Sequence, residues 1–319
     1  MLSGKLSEPV VFVFAGALAA FLLVCLLLKT CARFLPRDAG RQYAHDGSLS
    51  AGKPRGAGFL FILAFAVVVM VFLPFVWENV IYLFLLIAAM ITGFLDDGSK
   101  TPWGEYKKGL LDLLIAILVA VTYLNFNPPQ LQLELLNRTV TLPTFVYGLL
   151  TVILVWVSIN VTNCADGVDG LSATVSLVTL STLFAVSCLT ETAAAFRGMI
   201  PIFCACLVAY LWFNAHPSRL MMGDAGSRAM GLFIALAVLK TGSPLLYLLA
   251  AAVLILDGGL GLLKVSLLRF LKIRILKNVR TPLHDHVRKN LGWSDTQTVT
   301  RFAILQLLGC FLALYFVMV

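Results

Sequence analysis

Residues 145–171 read "FVYGLLTVILVWVSINVTNCADGVDGL". The first fifteen are almost wholly apolar. The last twelve hold two carboxylates, two carboxamides and two glycines. A run this apolar reads as the body of a bilayer-crossing helix, for which about 20 such residues are needed. A helix leaving a membrane needs only a polar exit, and this one is acidic, Gly-spaced and short. That combination marks a place where something is bound.

The whole chain repeats the apolar theme. Its 319 residues are 60% hydrophobic and 13% charged, with a mean hydropathy of +0.94. Soluble domains carry about 25% charged residues, so the chain is an integral membrane protein. Ten candidate spans lie near 10–28, 58–76, 79–95, 109–125, 145–162, 171–189, 196–213, 228–241, 245–268 and 301–319. The eighth is short and the ninth long. Lys5 and Glu8 precede the first span without a small-residue cleavage site, so it reads as a retained helix. The fold expected is one all-α polytopic domain over 1–319. The seven scattered cysteines form no zinc or disulfide pattern and read as free thiols.

Charge sets the orientation. Twenty of the 24 Lys and Arg fall in the odd-numbered loops or at span ends adjoining them; Lys5, Arg138, Arg197 and Lys240 lie on the other side. By the positive-inside rule the odd loops are cytoplasmic and both termini lie outside. The net charge of +8 therefore expresses topology and attraction to anionic membrane lipids, not nucleic-acid binding. On the outer side, "FNPPQLQLELLNRTVTLP" (126–143) alternates with period two around Asn137 and Arg138, which predicts a small external β-hairpin near 129–142.

The unusual polar residues gather on the cytoplasmic side, in "SAGKPRGAGF" (50–59), "GFLDDGSK" (93–100), the third-loop stretch, "FNAHPSRLMMGDAGSRAMG" (213–231) and "TPLHDHVRKNLGW" (281–293). Each has an ordinary reading alone. Asp96 and Asp97 end a span. Asp166 and Asp169 are spaced to share one helical turn, or to sit on a loop entering a helix whose N–H groups face a ligand. Asp224 has the look of a helix cap, and His284 and His286 of solvated surface residues. Together, five carboxylates would repel without a cation, and hard oxygen ligands suit Mg²⁺ or Mn²⁺ rather than zinc. Lys53, Arg55, Lys100, Lys107 and Lys108 would offset an anionic substrate. Acids, metal and lysines at a membrane face point to phosphoryl chemistry on a lipid; no Walker A or GxGxxG pattern is present. Asp112 and Asp257 lie inside spans and are functional candidates on that ground, with Asp257 and Lys264 able to share a helix face.

"GFLDD", "NVTNCADGVDGLSA", "WFNAHPSRLMMGDAGSRAMG" and "TPLHDHVRKNLGW" resemble the polyprenyl-phosphate N-acetylhexosamine-1-phosphate transferase superfamily, most of all its peptidoglycan branch, the phospho-N-acetylmuramoyl-pentapeptide transferases. The likeness runs from about residue 45 to the end. It implies transfer of phospho-MurNAc-pentapeptide from a UDP carrier to undecaprenyl phosphate in the bacterial plasma (inner) membrane, yielding lipid I and UMP with Mg²⁺, and a homodimer. By motif position Asp224 is implied as metal ligand, and Asp96 and Asp97 as the pair serving the attacking lipid phosphate, one of them as base or as covalent nucleophile. Asn160, Asn163, Asp166, Gly167, Val168 and Asp169 correspond to the nucleotide and diphosphate region, Asn214 to a position close to the active site, and His284 to a histidine motif ending at His286. Three departures stand out: Asp285 replaces the middle histidine, Ser50 replaces a lysine for which Lys53 is the substitute, and Met221 stands where phenylalanine packs on uracil. The sister reaction, moving GlcNAc-1-phosphate to the same lipid, is the nearest alternative; a transporter is a remote one.

Overall fold

The computed structural model describes residues 8–38, 40, 50–99, 101 and 103–319. Lys5 and Lys100 lie outside the described residues. The chain is a helical bundle: α1 (Glu8–Cys31), α2 (Gly58–Phe72), α3 (Trp77–Asp97), α4 (Glu105–Phe126), α5 (Thr144–Cys164), α6 (Leu171–Leu189), α7 (Ala194–Asn214), α8 (Gly223–Lys240), α9 (Pro244–Ala250), α10 (Ala252–Leu271), α11 (Leu283–Leu291) and α12 (Asp295–Met318). Between α4 and α5, β1 (Gln130–Leu133) pairs antiparallel with β2 (Arg138–Thr141), so the predicted hairpin is present. The turn passes through Asn137 in the left-handed region, a conformation asparagine tolerates.

Each of the ten apolar segments is helical over most of its length. Seven helices among the described residues are long and apolar enough to cross a bilayer, or eight if the bent pair α9–α10 counts as one. The protein is therefore a multi-pass membrane protein. Of the other two segments, α2 has 15 residues, and α8 carries Asp224, Arg228 and Lys240. The ninth segment is not one long straight helix: α9 and α10 meet at 72° across Ala251. The break strands backbone groups in an apolar interior, where each would be costly. Gln306 of α12, fully buried, answers both: its Oε1 accepts from Val253 N–H at 2.9 Å and its Nε2 donates to Ala250 O.

Helix α8 is the axis of the fold. Every residue from Gly223 to Leu239 is buried, and α2, α3, α5 and α6 pack around it. A helix hydrophobic on all sides belongs inside a bundle, yet this one carries Arg228 one turn from its start. Arg228 reaches Asp112 of α4 through both Nε (3.0 Å) and Nη2, and Asn160 of α5 reaches the second Asp112 oxygen at 3.5 Å. Asp112 thus belongs to a buried ion pair.

Removing one member of such a pair leaves a bare charge and costs about 3–5 kcal/mol. Arg228→Met should accordingly unfold at a clearly lower temperature in detergent, and combining it with Asp112→Leu should recover most of the loss. Equal melting of Arg228→Met and wild type would contradict this reading.

Candidate active site

The site lies where α3 and α5 end and α8 begins, at the end of the bundle away from the hairpin. Its centre is the first turn of α8, whose N–H groups have no partner within the helix. Asp97, the last residue of α3, supplies one: its Oδ1 accepts from Asp224 N–H and its Oδ2 from Ala225 N–H, both at 3.1 Å. Asp224 is therefore not its own helix cap; it sits inside the first turn, and the cap comes from another helix. The approach is close enough that a methyl group on Gly93 would lie 2.3 Å from Asp224 O.

Four further charges, Arg55, Asp38, Lys108 and Asp96, close the cluster. Arg55, on the segment leading into α2, places Nε 2.8 Å from Asp97 Oδ1, Nη2 3.4 Å from Asp224 Oδ1 and Nη1 3.3 Å from Asp38 Oδ1. Burial alone would lower its pKa, but the carboxylates of Asp97, Asp224 and Asp38 outweigh that and raise it, so Arg55 stays charged. Lys108, one turn into α4, pairs with Asp96 Oδ2 and lies 3.1 Å from Asp224 Oδ2. Asp96 Oδ1 accepts from Trp103 N–H at 2.7 Å. Lys107, by contrast, lies over the Trp103 ring at 3.3 Å.

The third loop resolves one open question. Residues 165–170 form the turn between α5 and α6, so Asp166 and Asp169 do not share a helical face. Asp166 Oδ1 accepts from Ser172 Oγ–H at 2.7 Å. Asp169 Oδ2 accepts from Ser218 N–H at 3.0 Å, with Lys53 Nζ at 3.7 Å and His216 Nδ1 at 3.5 Å. Lys53 also donates to Ser218 Oγ at 2.9 Å. Asn163 donates to Ser227 Oγ at 2.8 Å, one turn below Asp224. Asn214 is a brace between loops: buried, it accepts from Gly170 N–H (2.8 Å) and donates to Leu220 O (2.9 Å). Val168 is buried, and Met221 is half-buried with its N–H donating to Pro54 O.

The fifth loop arrives from α11. His284 is buried against Asp257, and a methyl on Gly167 would lie 2.2 Å from His284 Nε2. Asp285 lies between Arg280 (3.8 Å) and Arg288 (4.0 Å), and His286 Nδ1 accepts from Arg280 N–H at 3.2 Å. Neither histidine is a solvated surface residue of the kind first read. Asp257 and Lys264 do not serve each other: Lys264 donates to Val279 O at 2.8 Å.

The donor chemistry here fits a hard divalent cation. Lys108 Nζ already rests between oxygens of Asp96 and Asp224 from two helices, a position that accepts positive charge with oxygen ligands only. A second group able to share an ion is Asp169, His216 and Asp295, whose ligand atoms lie within 4.8 Å of one another. Its charge is already offset by Lys53 on Asp169 and by Arg288 Nε, 2.7 Å from Asp295. His216, Asp295, Asp38 and Ser218 were not singled out as site residues from sequence. His216 and Ser218 lie inside the quoted fourth-loop motif, whereas nothing in the spacing of Asp38 or Asp295 announces a partner.

A family model described as Glycosyl transferase family 4 matches residues 79–242. A protein of Treponema pallidum (strain Nichols) named phospho-N-acetylmuramoyl-pentapeptide-transferase is 40% identical, over 90% of this chain and 84% of its own length. Proteins of the same name from Clostridium botulinum (strain Eklund 17B / Type B) and Dictyoglomus thermophilum are 30% and 28% identical, over 85% and 91% of this chain and 86% and 93% of theirs.

Replacing Gly93 by alanine should push α3 off the start of α8. Overpacking of this kind costs about 1–3 kcal/mol. Hydrogen exchange at the Asp224 and Ala225 amides should quicken in Gly93→Ala as the Asp97 cap loosens; unchanged exchange would show that the cap does not depend on this contact.

Proposed function

Because the chain belongs to glycosyl transferase family 4, among the phospho-N-acetylmuramoyl-pentapeptide transferases, it is a membrane phosphotransferase of peptidoglycan precursor synthesis, and we propose that it moves phospho-MurNAc-pentapeptide from its UDP carrier to undecaprenyl phosphate. The products are lipid I and UMP. The observation carrying this reading is the junction of Asp96, Asp224, Lys108 and Arg55 at the start of a buried helix, where two anionic reactants can be brought together.

Both reactants are phosphates, so their repulsion is the first barrier. Asp224 is the residue that would hold Mg²⁺, whose chemistry is to neutralise the diphosphate oxygens and polarise the phosphorus. Lys108 is within reach of the acceptor phosphate once it leaves Asp224, and Asp96 orients that phosphate through Lys108. Asp97 keeps α8 in place rather than reacting, since both its oxygens are engaged. That engagement favours direct displacement over a covalent aspartyl intermediate. In the direct step an acceptor phosphate oxygen bonds to the sugar-side phosphorus, and the phosphorus–oxygen bond to UMP breaks with its electron pair leaving on UMP. Asn163, Asp166, Gly167 and Asp169 line the donor side, with Lys53 and Met221 beside the base; Asn160 supports them from the Asp112 pair. His284, with Asp285 and His286, closes the donor side from the fifth loop. The charge bias of the loops supports a site on the cytoplasmic face of the plasma membrane, where a soluble UDP-sugar is available. A homodimer belongs to the same proposal.

Purified protein with undecaprenyl phosphate should release UMP from UDP-MurNAc-pentapeptide and not from UDP-GlcNAc; the opposite preference would move the reading to the sister reaction, and transport without UMP release to a carrier. Asp224→Asn should lower kcat by roughly 10³-fold or more, as loss of a principal electrostatic group does.

A further inference from the structure

One buried carboxylate has no task in the reaction as proposed. Asp257 lies in α10 just beyond the 72° bend and is 1% exposed. Two nitrogens of one residue converge on it: His284 backbone N–H donates to Oδ1 at 2.8 Å, and His284 Nδ1 lies 2.8 Å from Oδ2. An ionised carboxylate can only accept, so Nδ1 is the nitrogen that carries the proton. In the neutral ring Nε2 is then bare. The ring edge bearing Nε2 fills the space where a side chain on Gly167 would stand. Asp285 Oδ1, 3.9 Å from Nε2, is a charged neighbour on that edge.

We propose that Asp257 is a positioning residue that locks His284 in the Nδ1–H tautomer and holds Nε2 as a hydrogen-bond acceptor at the Gly167 turn, for a hydroxyl or ring N–H of the nucleotide-sugar. The ligand half of this rests on the transferase reading of that turn; the tautomer half does not. Two donors meet two acceptor oxygens, and an amide in place of the carboxylate can accept only on one side. The backbone N–H of His284 is fixed by the start of α11, so an amide oxygen stays with it and the amide NH₂ faces Nδ1. Nδ1 must then give up its proton, and Nε2 must carry one. A change of one atom type, with almost no change of volume, thereby turns the acceptor at Gly167 into a donor. An oriented histidine depends on its carboxylate in this way wherever the second nitrogen does the work.

The test is long-range ¹H–¹⁵N correlation on histidine-labelled protein in nanodiscs without substrate, with His284 assigned from the spectrum of His284→Gln. Wild type should show the Nδ1–H form and Asp257→Asn the Nε2–H form. In steady-state assays Asp257→Asn should raise KM for the UDP-sugar at least tenfold and leave KM for the lipid acceptor unchanged. An Nε2–H tautomer in wild type overturns the proposal even if Asp257→Asn fails to fold, and so does an unaltered tautomer in Asp257→Asn. Unchanged donor KM overturns its ligand half. A wild-type protein with the Nδ1–H form but no UMP release would remove the transferase reading and leave the tautomer assignment standing.

Discussion

A buried helix that begins with an aspartate is an electrostatic problem, and its solution organises this protein. The N-terminus of α8 carries partial positive charge from its free N–H groups. Asp97 neutralises that from α3 through two hydrogen bonds, and Arg55 then balances Asp97 and Asp224 together. With its own cap supplied in trans, Asp224 is released from capping and its oxygens turn to Lys108 and Arg55. Four chain segments are thus fixed by one cluster before any substrate is considered.

The pairing between α4 and α8 continues inward with its sense reversed. At the rim α8 supplies the acid (Asp224) and α4 the base (Lys108); one turn deeper α8 supplies Arg228 and α4 supplies Asp112. Each rung is four residues from the next on both helices, the spacing at which side chains stack on one face. The deeper rung is buried and contributes to holding the helices in register. The outer rung is the one open to exchange, since Lys108 is about a quarter exposed.

Much of this was legible in the sequence. The apolar segments, the period-two alternation of the hairpin and the gathering of acids in loops of one side follow from local pattern, and local pattern is what sequence displays. The pairings were not legible, because Arg55 and Asp224 stand 169 positions apart and Lys108 and Asp224 stand 116 apart. Spacing rules reach only along one element, so Asp96 and Asp97 read as one pair when the structure gives one a lysine and the other a helix end. The bend at Ala251 was hidden for another reason: its freed backbone groups are satisfied by Gln306, an amide within the apolar stretch of α12.

The central claim is that a divalent cation enters at Asp224, where Lys108 now offsets the charge. Mn²⁺ binding followed by electron paramagnetic resonance on protein in nanodiscs tests it without reference to turnover. Wild type and His216→Ala should bind one Mn²⁺ alike, and Asp224→Asn should lose it. Binding that survives in Asp224→Asn but disappears in His216→Ala would place the ion on Asp169, His216 and Asp295 and contradict the account.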